Sequence, residues 1–288
     1  MELERPDCPV CGPAPPHAVW LDEGRGTRYV RCAVCRTVFA SPRLPAEARR
    51  ATLEAEFSAG EPAATNAKTR AAALIQEAAI VRRYASGGRV LDVGCDLGDF
   101  LGCFPGAGWS RSGVELSPSA ARHAAEAHAA DVHVGDLRSA KFPSGFFDVV
   151  AMLDVVQYLD DPREDLREVR RILRPGGLVA LETAGQAYLL WRNRGLVCRL
   201  VDRRWSRMRS DSHYLQWLHP SAVLRLLEDA QLTPLRRYVI ESPRSAAAWR
   251  NAASTIHGAA ARLLTGLSAR AWSLAPKYLV IARATGPA

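Results

Sequence analysis

Residues 89–100 read Arg-Val-Leu-Asp-Val-Gly-Cys-Asp-Leu-Gly-Asp-Phe, and this stretch decides the fold. Val90, Leu91 and Val93 make a short apolar run suited to a strand buried on both faces of a parallel sheet. Gly94 and Gly98 bracket a tight turn, and Asp99, Phe100 and Leu101 open a helix. Strand, glycine turn and helix N-terminus in succession form a cradle for a ligand at the carboxyl end of the sheet. A side chain at either glycine is expected to block the ligand's approach to the backbone. The spacing G-x-x-x-G, with Asp92 inside the strand, is not the G-x-G-x-x-G of a dinucleotide site.

Working outward, Glu115 ends the next apolar strand, where a ribose diol would need an acceptor, and Asp136 closes Val132–Leu137. Any one of these acids alone reads as a helix cap or a turn residue. Three at the ends of successive strands point to a shared ligand. Ser117-Pro118 supplies an N-cap and a first-turn proline for an alanine-rich helix to about Ala130, with His123 and His128 expected on its solvated face. Phe147–Leu153 is the fourth strand. A helix then ends at Leu173, Arg174-Pro175-Gly176-Gly177 is the stop, and Leu178–Glu182 is the fifth strand. Strand candidates follow at Pro234–Glu241 and Lys277–Ala282, and a helix at Pro220–Ala230. Upstream, Lys68–Tyr84 keeps a helical stripe through Ala72, Leu74, Ile75, Ala78, Ile80 and Val81. This alternation of strands and helices indicates βαβ units and an α/β fold.

The N-terminal 45 residues carry a different signal. Cys8, Cys11, Cys32 and Cys35 stand in a C-x2-C-x20-C-x2-C arrangement, which suits four thiolates around a structural zinc ion. Four ligands close the coordination shell and leave no position for catalysis. A redox pair would need a thioredoxin-like surrounding pattern, which is missing. So small a ribbon is expected to draw much of its stability from the metal.

Composition sets wider bounds. With 288 residues, 48% hydrophobic and 24% charged, the chain has ample material for a globular core. The net charge of +8 is carried almost wholly by arginine and concentrates in the C-terminal third. Neither a basic, apolar leader nor a membrane span is visible, so a cytoplasmic location is expected.

From about Ile80 to Ile240 the order of motifs resembles class I S-adenosylmethionine-dependent methyltransferases, and the ribbon extends that likeness to the bacterial branch used in glycan and natural-product biosynthesis. The resemblance implies a Rossmann-like, seven-stranded, mostly parallel sheet flanked by helices. With the ribbon at 1–45, it implies a methyltransferase domain at 46–288, within which the sequence places a mostly helical cap or insert at about 244–267, a lid or an oligomer contact. Gly94, Cys95 and Gly98 would hold the methionine part of S-adenosylmethionine through the backbone, with Asp92 supporting its amino group. Glu115 would bind the ribose hydroxyls, Leu116 would pack on the adenine, Asp136 and Leu137 would meet the adenine edge and face, and Leu153 would line the methionine side. Two departures stand out. Asp96 occupies the usual middle glycine of the turn, where it blocks close approach or meets the cofactor's ammonium group. Gln157-Tyr158 stands where relatives carry Glu-His.

Methyl transfer needs an aligned acceptor and, for many acceptors, a base. His213 is the candidate base, or else it caps and packs the following helix; Tyr214 and Tyr158 are candidate pocket walls. Arg192–Arg209 holds seven arginines with Trp191, Trp205 and Met208 nearby. They face water, or they receive an anionic or carrier-bound acceptor. The expected partner is a small molecule, acted on at oxygen. RNA or tRNA is the alternative, against which stands a modest basic excess without a recognised RNA-binding motif. A non-catalytic scaffold is the remaining reading.

Overall fold

The structure is a computed structural model, and it describes residues 3–13, 18–22, 28–49, 51, 62–188, 214–240, 255–256, 258–260, 263–264 and 274–286. His213 and the whole of 192–209 lie outside the described residues, as does most of 244–267. The described parts of that last stretch (255–256, 258–260 and 263–264) are helical.

Three short strands open the chain: β1 (Ala18–Asp22), β2 (Arg28–Arg31) and β3 (Val38–Ala40). Helix α1 (Pro62–Val81) leads into β4 (Gly88–Val93), the strand of the opening motif. Then come α2 (Asp99–Gly102), β5 (Trp109–Glu115), α3 (Pro118–His128), β6 (Asp131–Val134) and β7 (Phe147–Leu153). A 3-10 turn at Val156–Tyr158 precedes α4 (Pro162–Ile172) and β8 (Leu173–Ala184). The chain continues through β9 (Gln216–Trp217), α5 (Pro220–Asp229), β10 (Leu232–Ile240) and β11 (Lys277–Ala284).

The large sheet has the order β10-β11-β8-β7-β4-β5-β6. Every neighbouring pair from β8 to β6 is parallel, while β11 runs antiparallel to both β8 and β10. The order reverses at β4, so its carboxyl end opens a crevice between the loops that leave β4 and β7. The expected seven-stranded, mostly parallel architecture is what the chain forms.

Alternation along the central strands feeds two cores. Val90, Val149, Ala151 and Ala180 pack with Ala78, Ile80, Phe100 and Phe104 on one face. Leu91, Val93, Val150, Met152, Val179 and Leu181 pack with Leu166, Val169 and Leu226 on the other. Each fully buried Leu, Val or Phe contributes about 1.5–3 kcal/mol, so a strand apolar on both sides fixes the layer order. Three helices begin with proline behind a capping side chain: Ser117, Asp161 and His219.

The second sheet is antiparallel with the order β1-β2-β3-β9. Its last strand comes from the far side of the chain, with Val38 opposite Trp217 and Phe39 opposite Gln216. Cys8, Val10, Cys32, Cys35 and Phe39 share the buried cluster that contains Leu181 and Leu226, so the ribbon packs on the α4/α5 face.

Some local expectations shift. The segment read as a stop before the fifth strand is part of β8, whose pairing with β7 skips between Phe147 and Val149 to absorb it. In α1 the buried face holds Ala73, Leu74, Glu77, Ala78, Ile80 and Val81, while Ile75 is 59% exposed. His128 is not simply solvated: a Cβ at Gly102 would lie 2.6 Å from its Nδ1, so the imidazole fills the groove those glycines leave.

Candidate active site

The turn after β4 is built by backbone geometry. Gly94, Asp96 and Gly98 have φ of 72°, 49° and 82°, all in the left-handed region. Asparagine and aspartate tolerate that region better than other side chains, so Asp96 can occupy the place of a glycine. The glycines answer to the protein as well as to any ligand. A Cβ on Gly94 would come 2.9 Å from Val155 Cγ2, and one on Gly98 would come 2.8 Å from the Ala124 Cβ. At Gly98 this corrects the expectation that the glycine keeps a ligand's path clear: its missing side chain lets α3 approach. Cys95 is buried, with Sγ beneath the turn against Gly113, so only its backbone is offered to the crevice.

Glu115, buried at the end of β5, ties this turn to the next. Its Oε2 accepts the Asp96 N–H at 3.0 Å and its Oε1 accepts the Ser117 N–H at 2.9 Å. A carboxylate has about four lone-pair sites, so it can still accept from a diol. Asp136 accepts the Ser139 N–H at 2.8 Å and so also serves its own turn. Leu116 is 39% exposed, whereas Leu137 is buried in the core.

A crevice of about 390 Å³, counting the part open to solvent, lies at this edge. Asp92, Gly94, Cys95, Asp96 and Leu153 line it, together with Arg70, Leu74 and Asp99. Gly98, Glu115, Leu116, Asp136 and Leu137 stand outside that lining. Burial pushes the Asp92 carboxyl up to about 8, with Arg70 opposing and Glu115 adding to the rise. Burial, then Glu115, pushes Asp96 up to about 6. Asp96 Oδ1 is buried with no hydrogen-bond partner in the protein. The lining is therefore mainly acidic: Arg70 is its one cation, and it is ion-paired with Glu182 rather than with Asp92 or Asp96.

Beside it sits an ionic group that the sequence reading missed. Lys277 Nζ lies 2.7 Å from Asp154 Oδ2 and 3.0 Å from Glu182 Oε1, and Arg70 reaches Glu182 Oε2 at 3.3 Å. Asp154 also accepts from the Gln157 side chain. Burial alone would raise Asp154, but Lys277 and Arg70 hold it below the usual carboxylate range. Glu77 is fully buried without a partner for either oxygen, and burial followed by Glu182 keeps it protonated well above the ordinary range. The sequence offered one hint, that Lys277 is among only three lysines and stands at the start of a strand.

Comparison with known proteins decides the family. A family model described as "Methyltransferase domain" matches residues 63–236. The chain belongs to this methyltransferase family. Ubiquinone biosynthesis O-methyltransferase of Thiobacillus denitrificans is 27% identical over 161 residues, which is 52% of this chain and 67% of that protein. Its namesake from Ralstonia nicotianae is 33% identical over 115 residues, 36% of this chain and 48% of that protein. The chain thus spans about half to two thirds of the length of these two relatives. A chain from the complex of the Haloferax volcanii Trm112 methyltransferase activator with a methyltransferase superposes with a TM-score of 0.52. It is 16% identical and covers 84% of this chain and 96% of that one, a likeness of fold alone.

This methyltransferase is S-adenosylmethionine-dependent, and the crevice fits that cofactor. The cofactor carries an ammonium and a sulfonium, and the lining presents Asp92 and the unpartnered Asp96 Oδ1. The turn after β7 lies next to the crevice, with Val155 against Gly94. Tyr158 is 38% exposed there, its ring 5.1 Å from that of Tyr214 at 70°. No helix among the described residues is long and apolar enough to cross a membrane.

The four ribbon cysteines also converge. Their Sγ atoms all lie within 4.8 Å of one another, and Cys8 and Cys35 are 3.5 Å apart. A disulfide would need about 2.05 Å. Tetrahedral zinc with bonds of about 2.3 Å sets its sulfurs about 3.8 Å apart, which this cluster can meet.

Proposed function

We propose that this enzyme methylates an oxygen of a small-molecule acceptor. The observation that carries the reading is an acid-lined crevice beside a glycine turn, against which the turn carrying Tyr158 packs through Val155. The names of the O-methyltransferase relatives support oxygen as the acceptor atom. Bound S-adenosylmethionine supplies an electrophilic methyl group on its sulfonium sulfur. Asp92 and Asp96 hold the cation-bearing end of that ligand, Glu115 accepts from its ribose, and Leu116 with Asp136 receives the adenine, while Leu137, buried in the core, only backs that site. Gly94, Cys95 and Gly98 shape the turn beneath it.

On the acceptor side, Tyr158 and Tyr214 flank the acceptor and exclude water, and His213 takes the proton released from the attacking hydroxyl. Cys8, Cys11, Cys32 and Cys35 hold a structural zinc ion. The acceptor is a free or carrier-bound small molecule of anionic character, not nucleic acid. Salt dependence tests that last point, because a steep fall in binding between low and moderate salt would indicate a polyanion.

Calorimetric titration of zinc-replete protein with S-adenosylmethionine and with S-adenosylhomocysteine tests the core of the proposal. Micromolar binding lost in Glu115→Ala would support it. Absence of binding to either ligand would reject it. His213→Ala is expected to abolish turnover while leaving cofactor affinity intact, and unchanged turnover would reject the base.

A further inference from the structure

The ribbon is joined to the acceptor side of the crevice by a continuous set of short polar contacts. Cys35 Sγ lies 3.2 Å from Thr37 Oγ1, and the Cys32 N–H donates to the Thr37 carbonyl at 2.9 Å. Thr37 leads directly into β3, which pairs with β9. The Ala40 N–H donates to the Leu215 carbonyl at 2.8 Å. Tyr29 stacks on Trp217, rings 4.9 Å apart and 10° from parallel, and donates its hydroxyl to the Tyr214 carbonyl at 2.9 Å. Gln186 Nε2 spans the Arg36 and Trp217 carbonyls, each at 2.8 Å. The segment from Tyr214 to Leu218 is thus strapped to the ribbon.

Its other edge holds the turn after β7. The Leu215 N–H donates to the Gln157 carbonyl at 2.8 Å. Gln216, only 1% exposed, gives its Nε2 to the carbonyls of Val156 at 2.7 Å and Leu159 at 3.1 Å. That turn carries Tyr158 and follows Leu153, which lines the crevice, and Asp154. Short turns and two-residue strands have little cooperativity of their own, so their geometry is set by what they are bonded to.

We infer that the four-cysteine ribbon is a positioning element for the acceptor side of the site. Through β3, the Tyr214–Leu218 strap and the Gln216 side chain, it fixes residues 154–159 in one arrangement. The role assigned to that turn rests on the methyltransferase reading; the coupling itself does not. Gln216 and Tyr29 are positioning residues, since they act through the turn and the strap. The cofactor side, built on β4 and β5, has its own support in Glu115 and is expected to be insensitive to the ribbon.

Hydrogen–deuterium exchange on the full-length, zinc-loaded protein tests this. In Gln216→Ala, which leaves all four cysteines in place, peptides covering 154–160 should exchange about tenfold faster, as expected for two buried carbonyls losing their donor. Peptides covering 89–98 should keep their protection, and S-adenosylhomocysteine affinity should stay within about twofold, because that site shares no partner with Gln216. Withdrawing zinc with a chelator should loosen 154–160 and 214–218 together. Unchanged exchange at 154–160 in both experiments would overturn the inference. So would a uniform loss of protection across β4 and β7 on zinc withdrawal with no local change in Gln216→Ala. If the unaltered protein fails to bind S-adenosylhomocysteine, the cofactor reading falls, and the exchange pattern alone still decides the coupling.

Discussion

Two sets of carboxylates share the carboxyl edge of the large sheet, and the chain treats them differently. Asp154, just after β7, and Glu182, on β8, have Lys277 and Arg70 within 2.7 to 3.3 Å. Asp92 and Asp96, on β4 and its turn, make no such ion pair, and burial raises them to about 8 and about 6. Burial raises Glu182 as well, but there Lys277 and Arg70 oppose the rise from ion-pair distance. A buried charge that the protein neutralises internally maintains structure; one left for an outside cation marks a ligand site. The first set braces the loop after β7, and the second is where we propose that the cationic cofactor is held.

The largest effect should come from breaking the compensated set. Lys277→Met leaves Asp154 and the fully buried Glu182 without their ammonium, and urea unfolding should show a loss of about 3–5 kcal/mol. On the other side, Glu115→Ala removes the acceptor of two backbone N–H groups along with the proposed ribose contact. Calorimetry should then show S-adenosylhomocysteine affinity lowered about a hundredfold, or about 2–3 kcal/mol.

Asp92→Asn sharpens the contrast through pH. With a folded value of about 8 against an ordinary value near 4, the folded state holds an extra proton across that window. Stability therefore falls as pH rises from about 4 to 8. The Asn variant cannot ionise, so at pH 8 its free form should be more stable than the parent by on the order of 1–3 kcal/mol while binding S-adenosylmethionine more weakly. Thermal denaturation at pH 5 and pH 8 checks the sign.

The smallest effect concerns Asp96. A cation prefers the ionised carboxylate, so binding of S-adenosylmethionine should tighten as pH rises through about 6. Asp96→Gly should flatten that step, a change of up to about tenfold, and relieve part of the left-handed strain at φ 49°. An unchanged pH profile would assign Asp96 to the turn alone.

The opening motif was legible because each of its parts is local. Val90–Val93 is apolar on both faces, the glycines sit where φ turns positive, and Glu115 and Asp136 fall at strand ends a fixed distance along the chain. The cysteine cluster was legible for a similar reason, since two C-x2-C knuckles each form within one turn. The ionic group was not. Arg70, Asp154, Glu182 and Lys277 are scattered over more than 200 positions, and each reads alone as an ordinary surface charge. Only the β8–β11 pairing, with Lys277 opposite Ala184, brings the ammonium to the two carboxylates. Gln157, read as a departure from relatives, likewise shows its use only as the partner of Asp154.

The sequence by itself determined the strand alternation, the crevice turn and the four thiols, because propensity, periodicity and spacing act over a few residues. The tertiary structure alone decided that Gly98 serves helix packing, that Asp92 and Asp154 meet opposite electrostatic surroundings, and that β9 closes the ribbon sheet. Those outcomes depend on residues far apart in the chain sharing one low-dielectric space, where pairing and burial set energies that no local pattern encodes.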